Sequence, residues 1–278
     1  MQTEILMWLK HTGHPQISSP WFQTLRWGKS PHDAHLFALP YAGGSATALR
    51  SLKEVIHPDI HLHIATLPGR GSRFGEPALH DINTIVRALT DAIEQHHPER
   101  FVIFGHSMGG LLGFEICQEL TRRGLALPTA LVTSGTRAPH LFAKDREITH
   151  DLPRDAFIAH LRKLAGTPPE ILAHPELMEL MLPMLRCDFR LCQTYQFKPS
   201  EPLDVPLLVL SGSEDDGVNG DRIREWRIHT RCGCRFHEFS GGHFFLHDHW
   251  SEIGEMLNLL LGVQKAVPAP ASVAESRH

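Results

Sequence analysis

Six short apolar runs punctuate the chain, each bounded by turn residues: HLFALP at 35–40, HLHIATL at 61–67, FVIFG at 101–105, TALVTSG at 129–135, PLLVLSG at 206–212 and CRFHEFS at 234–240. Their length and nearly continuous apolarity suit strands buried on both faces, as in a parallel sheet. Between them the period lengthens. INTIVRALTDAIEQH (82–96) sets Ile82, Ile85, Val86, Leu89 and Ile93 on one helical face, and LLGFEICQELTRR (111–123) ends at Gly124, a residue suited to a helix C-cap. NGDRIREWRIHT and HDHWSEIGEMLNLLL supply two later helices. Strands alternating with helices imply crossover units, with helices on both faces of a mostly parallel sheet. The rhythm breaks from about Arg137 to Pro199. There DAFIAHLRKLAG and PELMELMLPMLRCDFRLCQTYQF give helical patterns interrupted by proline, and no strand. An all-helical insertion between two sheet strands has the form of a lid over a site, with Leu177, Leu180, Met181, Met184 and Leu185 expected on its apolar face.

Composition narrows the function classes. The 278 residues are 42% hydrophobic and 21% charged, and 27 basic against 31 acidic side chains leave a formal charge of −4. That balance argues against a nucleic-acid binder and against a polybasic membrane-surface protein. No apolar run approaches the roughly 18 residues a spanning helix needs. The opening MQTEILMWLKHTGHPQ lacks the pattern of a secretory signal, so the expected location is the cytoplasm. Five scattered cysteines fit free thiols better than a disulfide framework. Among 21 histidines, the groups most open to a metal reading are Cys232/Cys234/His237 and His243/His247/His249. The first has CxC rather than CxxC spacing and His243 has another role below, so neither a metal nor a cofactor is expected. Residues 1–262 read as one domain and 263–278, small, polar and proline-containing, as a disordered tail.

The passage FVIFGHSMGGLLGFEI carries the chemistry. A buried strand runs into Gly105-His106-Ser107-Met108-Gly109 and then into a helix, which is the GxSxG nucleophile elbow in its defining strand–turn–helix context. The turn lifts the Ser107 hydroxyl above the sheet, and the N–H of Met108 at the helix start points to where an oxyanion would develop. Adjacent residues on an elbow point apart, so His106 reads as packing, as does Cys117 on the following helix. A serine nucleophile needs a base and an orienting acid, which in the α/β-hydrolase fold follow in the order Ser, Asp or Glu, His. PLLVLSGSEDDGV places Asp215 in the loop after one strand, and CRFHEFSGGHFF places His243 after the next. Both loops belong at the carboxyl edge, where open α/β sheets bind ligands. Glu214 and Asp216 flank Asp215, but the G-x-x-D spacing from Gly212 favours Asp215. The loop Leu39-Pro40-Tyr41-Ala42-Gly43-Gly44 after the first strand offers the second oxyanion donor at Ala42. His247 and His249 are expected on the first turn of the last helix.

Together the segments LFALPYAGGSA, LPGRGSRFGEP, FGHSMGGLLGFE, LPMLRCDFRLCQTYQF, SGSEDDGV and FSGGHFFL resemble the type II thioesterases, editing hydrolases associated with non-ribosomal peptide and polyketide synthesis. The resemblance runs from about residue 21 to 261. It implies Ser107 as nucleophile, Asp215 as orienter, His243 as base, Ala42 and Met108 as oxyanion donors, and a helical lid at about 145–198. Cys187 and Gln193 depart from the residues common in that lid motif. The implied reaction is hydrolysis of acyl groups from the phosphopantetheine arm of an acyl or peptidyl carrier protein by a monomer that needs no cofactor. Arg70 and Arg73 in the GRGSRF loop read either as a dock for that acidic partner or its arm's phosphate, or as salt-bridged structure. The same triad would equally serve a carboxylesterase, a lipase or an acyltransferase, and a binding protein on a hydrolase scaffold is the alternative without turnover.

Overall fold

The structure, a computed structural model, describes residues 19–30, 32–143, 147–164, 166, 169–218 and 220–263; the expected tail beyond Val263 lies outside them. The six expected strands form β2 (His35–Leu39), β3 (His61–Ala65), β4 (Phe101–His106), β5 (Ala130–Ser134), β6 (Leu207–Gly212) and β7 (Cys234–Phe239). A further strand, β1 (Phe22–Arg26), precedes them, and the sheet order is β1-β3-β2-β4-β5-β6-β7. β2 to β7 pair in parallel, whereas β1 runs antiparallel along β3 with a bulge between Thr24 and Arg26. The sequence reading does not contain β1. Its pattern, FQTLR, is mixed because it is a half-exposed edge strand.

The described helices are α1 (Leu52–Val55), α2 (Ile82–Gln95), α3 (Met108–Arg123), α4 (Arg154–Leu164), α5 (Pro169–Leu172), α6 (Pro175–Thr194), α7 (Asp221–Arg224) and α8 (Trp250–Leu260). Asp81 caps α2, accepting from the N–H of Thr84, and Gly124 closes α3 in the left-handed region at φ 66°. Two cores sandwich the sheet. Phe37, Leu39 and Ile103 pack with α2 and α3 on one face. Leu36, Ala38, Val102 and Phe104 pack with α8 on the other, so successive strand residues alternate between two buried surfaces. Each of the Leu, Ile, Val and Phe side chains removed from water contributes about 1.5–3 kcal/mol. α4 to α6 form the expected helical insertion between β5 and β6. It carries its own apolar cluster, including Phe157, Leu161, Met178 and Leu182. No helix among the described residues is long and apolar enough to cross a membrane.

Candidate active site

The elbow is built from close backbone contacts. Ser107 joins β4 to α3 with φ 54°, a strained conformation for a residue with a side chain, and its N–H donates to Ser134 O at 2.8 Å. A Cβ on Gly105 would lie 2.1 Å from Gly109 O, and one on Gly109 would lie 2.0 Å from Leu39 O. Only glycine at both positions lets β4, the start of α3 and the loop after β2 approach this closely. The same approach brings Ala42 and Met108 alongside Ser107 on the wall of one cavity. Met108 is the first residue of α3, where backbone amides lack intrahelical acceptors.

Three loops at the carboxyl edge converge. The Ser107 hydroxyl donates to His243 Nε2 at 3.0 Å, and His243 Nδ1–H donates to Asp215 Oδ2 at 2.6 Å. Asp215 is buried, while its neighbours Glu214 and Asp216 are exposed. The three groups thus form one chain from a buried carboxylate to a hydroxyl at the cavity wall, the arrangement that lets an imidazole take a proton from serine. Gly212 permits it: a Cβ there would lie 2.4 Å from Gly242 O in the loop that carries His243.

The cavity, about 370 Å³, lies between sheet edge and insertion. Leu161, Leu164, Leu185 and Phe189 from the insertion face Phe142 and Phe244 from the body. Of the residues expected on the inner face, Leu185 reaches the cavity and Met184 packs inside the insertion's own cluster. Leu177 and Leu180 instead face solvent, because α4 and α5 cover a different side of α6.

Arg70 and Arg73 resolve to structure. Arg70, 3% exposed, makes a two-pronged ion pair with the fully buried Asp188 of α6, at 2.6 and 2.7 Å. Asp188 Oδ2 also accepts from the N–H of Gly43 at 2.7 Å, so one carboxylate joins the insertion to the loop bearing Ala42. Arg73 pairs with Glu76 and lies over the Trp21 ring. Gln193 accepts from the N–H groups of Thr149 and His150, and Cys187 Sγ lies 3.8 Å from Ala78 O.

The other histidines separate by environment. His106 is fully buried against the His243 ring, 5.1 Å away between centroids, and shares a 2.9 Å hydrogen bond with Ser134 Oγ. Burial pushes its imidazole well below the usual range. His247 and His249 precede α8 rather than opening it: His247 ends a short 3-10 turn and His249 is the cap residue before Trp250. Cys117 is buried and burial pushes its thiol up, the mark of an inert packing cysteine.

A mostly parallel sheet with a serine elbow, a carboxylate-backed histidine and an apolar cavity defines the class of α/β serine hydrolases. Residues 34–260 match the Thioesterase domain family model, so the chain belongs to the thioesterase family. It is similar to Thioesterase PikA5 of Streptomyces venezuelae, 37% identical over 245 residues covering 87% of this chain and 86% of that protein. Gramicidin S biosynthesis protein GrsT of Aneurinibacillus migulanus is 34% identical, with 80% and 86% covered. Among solved structures, the type II thioesterase BorB from the borrelidin biosynthetic cluster superposes with a TM-score of 0.79 at 29% identity, covering 89% of this chain and 98% of that one. RedJ, the thioesterase of the prodiginine pathway in Streptomyces coelicolor, gives 0.76 at 31% identity, with 86% and 95% covered. The protein is a serine thioesterase of the type II group.

Proposed function

We propose that the protein hydrolyses acyl groups from the phosphopantetheine arm of an acyl or peptidyl carrier protein, in the cytoplasm, as the editing or release enzyme of a polyketide or non-ribosomal peptide assembly line. The observation that carries this reading is the apolar cavity ending on the Ser107 hydroxyl, itself hydrogen-bonded to His243. The names of relatives from gramicidin S, borrelidin and prodiginine pathways support the setting. In this reading residues 1–262 serve as one hydrolase domain whose segment at about 145–198 is the lid.

Ser107 Oγ attacks the thioester carbonyl as His243 Nε2 takes the hydroxyl proton, and Asp215 holds the ring and stabilises the imidazolium. The N–H groups of Ala42 and Met108 receive the developing oxyanion. Collapse expels the pantetheine thiolate, which collects the proton from His243, and leaves an acyl ester on Ser107. Water then gives a proton to His243 and attacks that ester. The second tetrahedral intermediate collapses to the free acid, and His243 returns the proton to Ser107.

The test compares acyl-carrier and acyl-pantetheine thioesters with p-nitrophenyl esters of the same chain. A kcat/KM preference for the carrier-bound thioester supports the reading. A preference for the oxygen ester would reassign the enzyme as an esterase.

A further inference from the structure

At the end of the sheet away from Ser107, β2, β3 and the C-terminus of α2 bring together three imidazoles that hydrolysis does not use. His35, His63 and His96 each offer a ring nitrogen, all within 4.8 Å of one another, and all three residues are buried. Nδ1 of His35 and Nε2 of His63 are 3.0 Å apart. Two nitrogens bound to one tetrahedral zinc at about 2.0–2.1 Å lie roughly 3.3 Å apart, so this pair needs only a slight opening to chelate. His96, 8% exposed, keeps its Nε2 buried without a hydrogen-bond partner, its ring 4.3 Å from that of His63 between centroids. A buried imidazole nitrogen with no partner is costly unless something occupies it.

We propose that His35, His63 and His96 bind one first-row divalent transition metal ion, zinc foremost, clamping β2, β3 and the α2–β4 connection. Three neutral imidazoles suit zinc and leave its fourth position for a single enclosed water. The surroundings complete the case. His63 Nδ1 lies 2.9 Å from the Thr24 hydroxyl, so that with Nε2 on the metal it donates to Thr24, the outer partner that metal-bound histidines normally have. His96 is the C-cap of the 14-residue α2, whose negative dipole end favours a cation. His61, stacked on His35, stays outside the ligand set: its Nδ1 accepts from the N–H of Gly28 and its Nε2 donates to Ser30 O.

The experiment titrates chelator-stripped, full-length protein with zinc by calorimetry and with cobalt(II) by visible absorption, and follows Tm with and without zinc. The expected result is one equivalent bound, tetrahedral-type cobalt bands and a raised Tm. His96→Gln and His35→Asn should each weaken binding by at least about tenfold, and Thr24→Val by about 10–100-fold. His32→Gln, on an exposed histidine three residues before His35, should leave it unchanged. Because wild-type binding is itself measured, a variant that fails to fold does not rescue the proposal. Wild type that binds no zinc overturns it, as does zinc binding that survives both His96→Gln and His35→Asn or is lost only with Cys232→Ser/Cys234→Ser.

Discussion

At the carboxyl edge of the sheet, His243 is backed by Asp215 and opens onto a cavity; at the opposite edge, His35, His63 and His96 are backed by one another and by Thr24, closed to solvent. The side chain is the same and the chemistry is set by what faces it. A carboxylate lets an imidazole become positive for the instant that catalysis needs. Imidazoles packed against imidazoles cannot do so: burial and mutual repulsion pull His35 down to about 3, burial and His61 pull His96 to about 4, and burial and the neighbouring imidazoles hold His63 well below the usual range. One edge therefore handles protons and the other excludes them.

Substitutions should separate the two edges. The largest effect is expected from Ser107→Ala, which should lower kcat on an acyl thioester by on the order of 10⁴-fold or more, with no loss of Tm, in steady-state assays paired with a thermal melt. Residual turnover within tenfold of wild type would sink the assignment of the elbow. Next, Asp215→Asn should cost on the order of 10³–10⁴ in kcat by favouring the wrong imidazole tautomer. Asp216→Asn should cost less than about tenfold; if the two results are reversed, the acid lies one residue along.

A buried ion pair ranks third. Asp188→Ala strands the Arg70 guanidinium and should cost about 3–5 kcal/mol in urea unfolding, together with a fall in kcat as the Gly43 amide loses its acceptor. The smallest effect concerns pH. The unfolded chain takes up protons on its histidines below 6.5, whereas the folded chain resists until about 4 at His96 and about 3 at His35. Stability from this cluster is therefore complete above 6.5 and falls steadily as the pH drops from 6.5 towards 3. Urea midpoints of metal-free protein across that range check it. The decline should shrink in His96→Gln, and an equal decline in that variant would place the acid sensitivity elsewhere.

Local chemistry made much of this readable from sequence. FVIFGHSMGG announces its turn because Gly105 answers a clash with Gly109 O within the same motif, and the parallel strands announce themselves by burial on both faces. What stayed hidden depends on distant partners. Arg70 admitted two readings because the carboxylate that decides between them is 118 residues away. The rotation of α6, which turns Leu177 and Leu180 outward, is set by α4 and α5 rather than by its own period. β1 owes its existence to the edge of β3. The histidine cluster draws on β2, β3 and the end of α2, a combination no short motif encodes.

Asp188 also bears on how such enzymes could be recombined. α6 contains Pro183, and downstream of it Leu185 reaches the cavity, Asp188 holds Arg70 and Gly43, and Gln193 holds the segment around Thr149. Through Asp188 the second half of this helix is thus tied to the hydrolase body. The first half, with α4 and α5, keeps a small core that also takes in Met184 and Leu185 just past Pro183. An exchange of acyl-length preference between relatives would place its seam between Leu185 and Asp188, so that the transplanted piece brings new cavity walls while the oxyanion loop keeps its native anchor.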